Sequence, residues 1–173
     1  MSSLLKNLGF AALIVGAGAA GIACYYVLND GQEQTVQNDF RTLSGDTFQW
    51  RNMQGQWTII NYFAPWCAPC LREMPELNTL GQDLPENTRL FAINYDIKTE
   101  QELHEMVKKF DIDIPVIVAE RNTALPMKRP PYLPATFIIG PQGKVADTIM
   151  GEVTADEIRQ RLNVLQSTKP SNS

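Results

Sequence analysis

The hydrophobic positions of this chain fall into three regimes. From Leu8 to Leu28 they are almost unbroken, 21 residues without a charge and rich in small side chains. From Asn29 to Gln37 they nearly vanish, and this polar stretch reads as a linker. From Asn38 onward short apolar runs alternate with segments of helical spacing. Asp39–Leu43 predicts a short strand, Ser44-Gly45-Asp46 a turn, and Thr47–Trp50 a second short strand. Trp57–Phe63 is near-continuously apolar, which suits a central strand buried on both faces. A helix is predicted from Cys67 to Gln82, kinked at Pro75. Arg89–Asn94 is the next buried strand. Thr99–Phe110 places Leu103, Met106, Val107 and Phe110 at helical spacing, with Thr99 and Glu102 as a capping box. Pro115–Val118 is extended, and Glu120–Tyr132 is a loop. Thr136–Ile139 and Lys144–Ile149 form a hairpin across Gly140-Pro141-Gln142-Gly143. A last helix starts at Thr154–Glu157 and carries Ile158, Leu162 and Leu165, and Ser167–Ser173 is a disordered tail. This order predicts an α/β sheet with helices on both faces.

Composition adds limits rather than detail. The 173 residues suffice for one domain with a substantial core. A net charge of -4 and a pI of about 5.0 argue against a nucleic-acid partner. Leu8–Leu28 matches the roughly 20 residues that span a bilayer. Lys6 precedes it and Asp30, Glu33 and Asp39 follow, with no Lys or Arg before Arg41. The positive-inside rule then leaves residues 1–7 in the cytoplasm and the rest outside, tethered to the cytoplasmic membrane by a single pass. A cleaved signal peptide is one rival, and a lipoprotein is another, since Gly21-Ile22-Ala23-Cys24 is a poor lipobox. All three readings export the domain that begins at Asn38 and ends near Gln166. Gly16-Ala17-Gly18-Ala19-Ala20-Gly21 has the spacing of a dinucleotide loop but lacks the flanking βα units. Small residues serve close packing in membrane helices instead.

The chemistry concentrates in Trp66-Cys67-Ala68-Pro69-Cys70, at a strand-to-helix junction. A helix N-terminus offers unpaired N–H groups and partial positive charge, and both favour a thiolate. Helix geometry places Cys67 outward and Cys70 one turn deeper. A zinc site would need two more ligands, and Cys24 and His104, the remaining cysteine and the single histidine, lie in no paired ligand motif. A purely structural disulfide would close a very short loop and so constrain the unfolded chain little. Dithiol–disulfide exchange is the favoured reading, and it asks for no cofactor and no metal.

Trp-Cys-x-Pro-Cys after an apolar strand resembles the thioredoxin-like proteins, and in detail their membrane-anchored TlpA/ResA-like group. Asn61 stands six positions before Cys67, where cytosolic thioredoxins carry a buried Asp. Glu73 stands six positions after Cys67, where the anchored group carries Glu. Leu133-Pro134-Ala135-Thr136-Phe137 is similar to the family's cis-proline and following strand. The resemblance covers roughly Asn38–Leu165. It implies a thioredoxin fold with an extra N-terminal hairpin, attack by Cys67 and resolution by Cys70. Glu73 would manage the proton, Trp66 would shape the partner surface, and the Leu133 backbone beside Pro134 would pair with an extended substrate. Implied partners are cysteine-containing exported proteins, apocytochromes among them, and a membrane electron-donor protein. A disulfide-forming oxidant and a non-catalytic binding or chaperone module are the alternatives. Lys128-Arg129-Pro130-Pro131 departs from the family loop, and either tunes partner choice or is only a rigid solvated segment.

Overall fold

The computed structural model describes residues 38–167. The expected anchor at Leu8–Leu28, the expected linker up to Gln37, Cys24 and the expected tail beyond Ser167 lie outside them. Among the described residues no helix is long and apolar enough to cross a membrane. The chain runs through β1 (Phe40–Arg41), β2 (Thr47–Phe48), a 3-10 turn (Trp50–Asn52), β3 (Trp57–Phe63) and α1 (Ala68–Gln82). It continues through β4 (Thr88–Asn94), α2 (Glu100–Lys109), β5 (Val116–Ile117), β6 (Ala135–Ile139), β7 (Val145–Met150) and α3 (Ala155–Ser167). Ser167 thus closes α3, where the sequence pattern placed the start of the tail.

β1 and β2 pair as a small hairpin, and the other five strands form one sheet in the order β5-β4-β3-β6-β7. β3, β4 and β5 are parallel, whereas β6 is antiparallel to β3 and β7 to β6. β3 is central, and its last six residues are buried. Alternate residues serve opposite faces, as the pleat requires. Ile59 and Phe63 join Cys70, Met74 and Leu77 of α1, Leu103 and Met106 of α2, and Ile158 and Leu162 of α3 in one core. Ile60 and Tyr62 join a second core with Phe40, Met53, Phe91, Ile93, Phe137 and Ile139, against which Phe48, Leu125 and Met127 pack.

That division corrects the expected layering. All three helices pack in the first core, and none contributes to the second. The crossovers β3-α1-β4 and β4-α2-β5 move the same way along the sheet, so right-handedness puts both helices on one face. The opposite face is covered by the N-terminal hairpin and the 119–133 loop. Phe40 stacks on Phe48 at 5.0 Å, and both rings meet Phe91 edge-on. The hairpin is therefore part of the core.

Local signals hold well. Thr99 Oγ1 accepts from the Glu102 N–H at 3.3 Å and Glu102 accepts from the Thr99 N–H at 2.9 Å, a complete capping box. α1 continues through Pro75, which has no N–H to donate to the Leu71 carbonyl.

Candidate active site

β3 delivers the chain to the C-terminal edge of the sheet, and Ala64-Pro65-Trp66 turns it into α1. Cys67 is the N-cap of that helix: its backbone is extended and its Sγ accepts the Cys70 N–H at 3.3 Å. Pro69 lies in the first turn, where a missing N–H costs nothing. Cys67 and Cys70 are joined in a disulfide, with Cα atoms 5.3 Å apart. Cys67 is 5% exposed and Cys70 0%, which agrees with the expected order of depth.

Glu73 is 1% exposed, on the buried face of α1 one turn beyond Cys70. It is no surface acid placed for the helix dipole. Its Oε1 accepts from Asn61 Nδ2 at 2.8 Å, and its Oε2 accepts from the Val153 N–H at 2.9 Å. Burial pushes the carboxyl up to about 7, against the opposing pull of the two hydrogen bonds. Nearby Glu152 adds a smaller upward push. Arg72 holds Glu152 through two contacts, at 3.1 and 2.7 Å, and so ties the turn that carries Val153 to α1. Asn61 and Thr136 are register partners on β3 and β6, and both are fully buried. Asn61 Nδ2 also donates to Thr136 Oγ1, at 3.0 Å.

The Leu133–Pro134 peptide bond is cis, as expected. Pro134 is buried, and Leu133 packs on the core that contains both cysteines. Trp66 lies at the surface, 62% exposed. Its indole N–H donates to Asp96 Oδ2 at 2.8 Å, and its ring meets Tyr95 edge-on at 6.0 Å. The Arg129 guanidinium lies 3.5 Å above the Tyr95 ring and reaches Asp96 Oδ1 at 3.5 Å. Tyr95 donates to the Pro130 carbonyl at 3.2 Å. The loop with the unusual Lys128–Pro131 sequence is thus fastened to the surface that holds Trp66. His104 is exposed on α2.

Tyr95, Asp96 and Thr136 were not singled out from sequence. A signal existed for the first two, because Asn94-Tyr95-Asp96 ends the strand beside β3. Groups at the carboxyl ends of neighbouring parallel strands share one edge of the sheet. The interaction is testable. Asp96→Ala should raise KM for a protein disulfide about tenfold, an effect on the order of 1.4 kcal/mol. Exchange with a small disulfide should keep its rate. Trp66 fluorescence should report the freed indole. Stability should fall by no more than about 1 kcal/mol, since the contacts are solvent-exposed. Equal losses with large and small disulfides would show that Asp96 supports the cysteines rather than the partner surface.

A disulfide-forming cysteine pair at the N-terminus of α1, with a buried acid one turn below, on a thioredoxin-like α/β domain, defines a thiol–disulfide oxidoreductase. The AhpC/TSA family profile matches residues 31–148, and the chain belongs to that family. It is 25% identical over 139 residues to the thioredoxin-like protein YneN of Bacillus subtilis, covering 79% of this chain and 81% of that one. It is 28% identical over 157 residues to the thiol-disulfide oxidoreductase ResA of Bacillus cereus, covering 87% and 90%. Among solved structures, the exposed lipoprotein thioredoxin Etrx1 of Streptococcus pneumoniae superposes with a TM-score of 0.64 at 20% identity, covering 72% of this chain and 96% of that one. StoA of Bacillus subtilis superposes with a TM-score of 0.58 at 20% identity, covering 70% and 92%.

Proposed function

We propose that this protein is an exported, membrane-tethered reductase of protein disulfides, working outside the cytoplasmic membrane on cysteine-containing exported clients such as apocytochromes. The observation that carries the mechanism is the buried Glu73 carboxyl one turn below Cys70, poised to hold or release a proton near neutral pH. In the reduced protein Cys67 attacks a client disulfide as a thiolate, favoured by its place at the helix N-terminus. One client sulfur leaves as thiolate and takes a proton from water. Cys70 then gives its proton to Glu73, attacks Cys67 Sγ and expels the second client sulfur. The Cys67–Cys70 disulfide is the product, and a membrane electron donor restores the dithiol. Leu133 and cis-Pro134 offer backbone to an extended client strand, with Trp66 at its side.

Reduction is the preferred direction because the anchored group that the sequence resembles works that way. The reduction potential of the Cys67/Cys70 couple tests it. A value near about -270 mV supports a reductant, and one near about -120 mV supports the disulfide-forming alternative. The binding-module alternative predicts no insulin reduction above a Cys67→Ser control.

Export rests on the charge asymmetry around Leu8–Leu28. Protease added to intact spheroplasts should digest the Cys67 domain. Retention of the full mass without lipid should accompany it. A protected domain would place the cysteines in the cytoplasm and sink the topology.

A further inference from the structure

Asn61 is buried within the central strand, and its amide is used unevenly. Nδ2 donates twice, to Glu73 Oε1 at 2.8 Å and to Thr136 Oγ1 at 3.0 Å. Oδ1 has no partner, and among the described residues no other buried side-chain nitrogen or oxygen is left so. An unpaired buried amide oxygen is costly and uncommon in native interiors.

The Glu73 carboxyl receives hydrogen bonds from both sides. Both of its hydrogen bonds come from donors, the Asn61 amide and the Val153 N–H, an arrangement that suits a carboxylate. A neutral carboxylic acid must donate its hydrogen, and neither neighbour accepts one. A half-turn of the Asn61 amide about its terminal torsion removes this conflict. That torsion is soft and two-fold. Oδ1 then accepts from the Glu73 hydroxyl and from the Thr136 hydroxyl, whose hydrogen rotates freely. Each position leaves the far end of the amide unpaired. The two positions therefore differ chiefly in which protonation state of Glu73 they fit.

We propose that Asn61 is a positioning residue that follows the Glu73 proton, donating to the carboxylate and, after turning, accepting from the carboxylic acid. The proposal rests on the reading of Glu73 as the proton acceptor of Cys70. When Cys70 passes its proton, the S–H bond breaks, a Glu73 O–H bond forms, and the turned amide holds the new hydrogen beside the sulfurs. The titratable and charged surroundings of Glu73 are few. On α1 they are Arg72, paired with Glu152 of the following turn at 2.7 Å, and Glu76, whose Oε2 takes the Ala155 N–H at 3.0 Å. The sheet presents the neutral Asn61 and Thr136, and the cysteines form the disulfide.

Neutron diffraction separates amide nitrogen from oxygen, which ordinary X-ray data do not. Crystals of the oxidised protein at about pH 5 and about pH 9 bracket the Glu73 transition. Oδ1 should face Glu73 in the first and Nδ2 in the second. Nδ2 on Glu73 at both values would overturn the proposal. In Glu73→Gln the variant's own amide donates at every pH, so Asn61 should present Oδ1 throughout; an Nδ2 that still faces position 73 there also overturns it. Asn61→Leu keeps the volume and removes both ends of the amide. Its pH–rate midpoint for exchange should rise by about half to one pH unit, because a charge-assisted donor is worth more than a neutral acceptor. An unmoved midpoint in a folded variant overturns the proposal, and the diffraction arm needs no variant to fold. Failure of the underlying reading looks different. If Glu73→Gln leaves the pH–rate profile intact, Glu73 takes no proton from Cys70. If Glu73→Gln abolishes the profile while the wild-type amide never turns, only the role of Asn61 falls.

Discussion

A Cys70→Ser variant should accumulate covalent complexes with client proteins that dithiothreitol dissolves. Cys67 sits at the helix N-cap, is the less buried of the two sulfurs, and keeps its capacity to attack. Without the second sulfur one turn below, the mixed disulfide has no internal route to release. Cys67→Ser should show the opposite behaviour. A hydroxyl forms no disulfide, so insulin reduction should fall to background and trapping should be far weaker. Both variants lose the Cys67–Cys70 bond, so any difference between them comes from their roles. Equal trapping by the two variants would reverse or erase the assigned order. Unaltered exchange in both would remove the oxidoreductase reading.

The Glu73→Gln variant should exchange disulfides more slowly near neutral pH, by up to about 10²–10⁴-fold for a full general acid–base role. Its pH–rate profile should lose the step near 7 that the buried carboxyl supplies. Stability gives a second, independent readout. The Glu73 carboxyl is raised in the folded protein from 4.5 to about 7, so the folded state binds more protons than the unfolded state between those values. Its contribution to stability is fully present below about 4.5 and is lost as pH rises through about 7, with a total of about 3 kcal/mol. The variant carries no charge there. Its stability relative to the native protein should therefore climb across that window and level off above it. Denaturant midpoints at pH 4 and pH 8 measure the difference. A constant difference would show that Glu73 titrates as it does in the unfolded chain, with no role in the exchange proton.

The cysteine pair and Glu73 differ in what fixes their roles. The cysteine roles come from spacing along one helix, which a sequence carries directly. The Glu73 role needs burial as well. At i and i+3 on a predicted helix, Cys70 and Glu73 share a face in any structure. Whether that face is buried depends on what packs against it. Here the answer is the β3–β6 ribbon, the turn at Val153 and α3.

What the sequence determined by itself is local. The near-continuous apolar run of Trp57–Phe63, the Thr99–Glu102 box, the Gly140–Gly143 turn and the N-terminal cysteine of α1 are each set by residues within a few positions of one another. Their physics of periodicity, capping and turn conformation acts at short range. The tertiary structure decided the rest. The pattern of elements left the helices free to lie on either face; the direction of two right-handed crossovers set α1 and α2 on one, and α3 packs in the same core. It also decided that Trp66 is held at the surface by Asp96, 30 positions away. The pairing of Asn61 with Thr136 across 75 positions, and the meeting of both with Glu73, follows from strand register. A buried carboxyl takes its proton affinity from its surroundings, and those surroundings exist only once β3, β6 and the Val153 turn have closed around it.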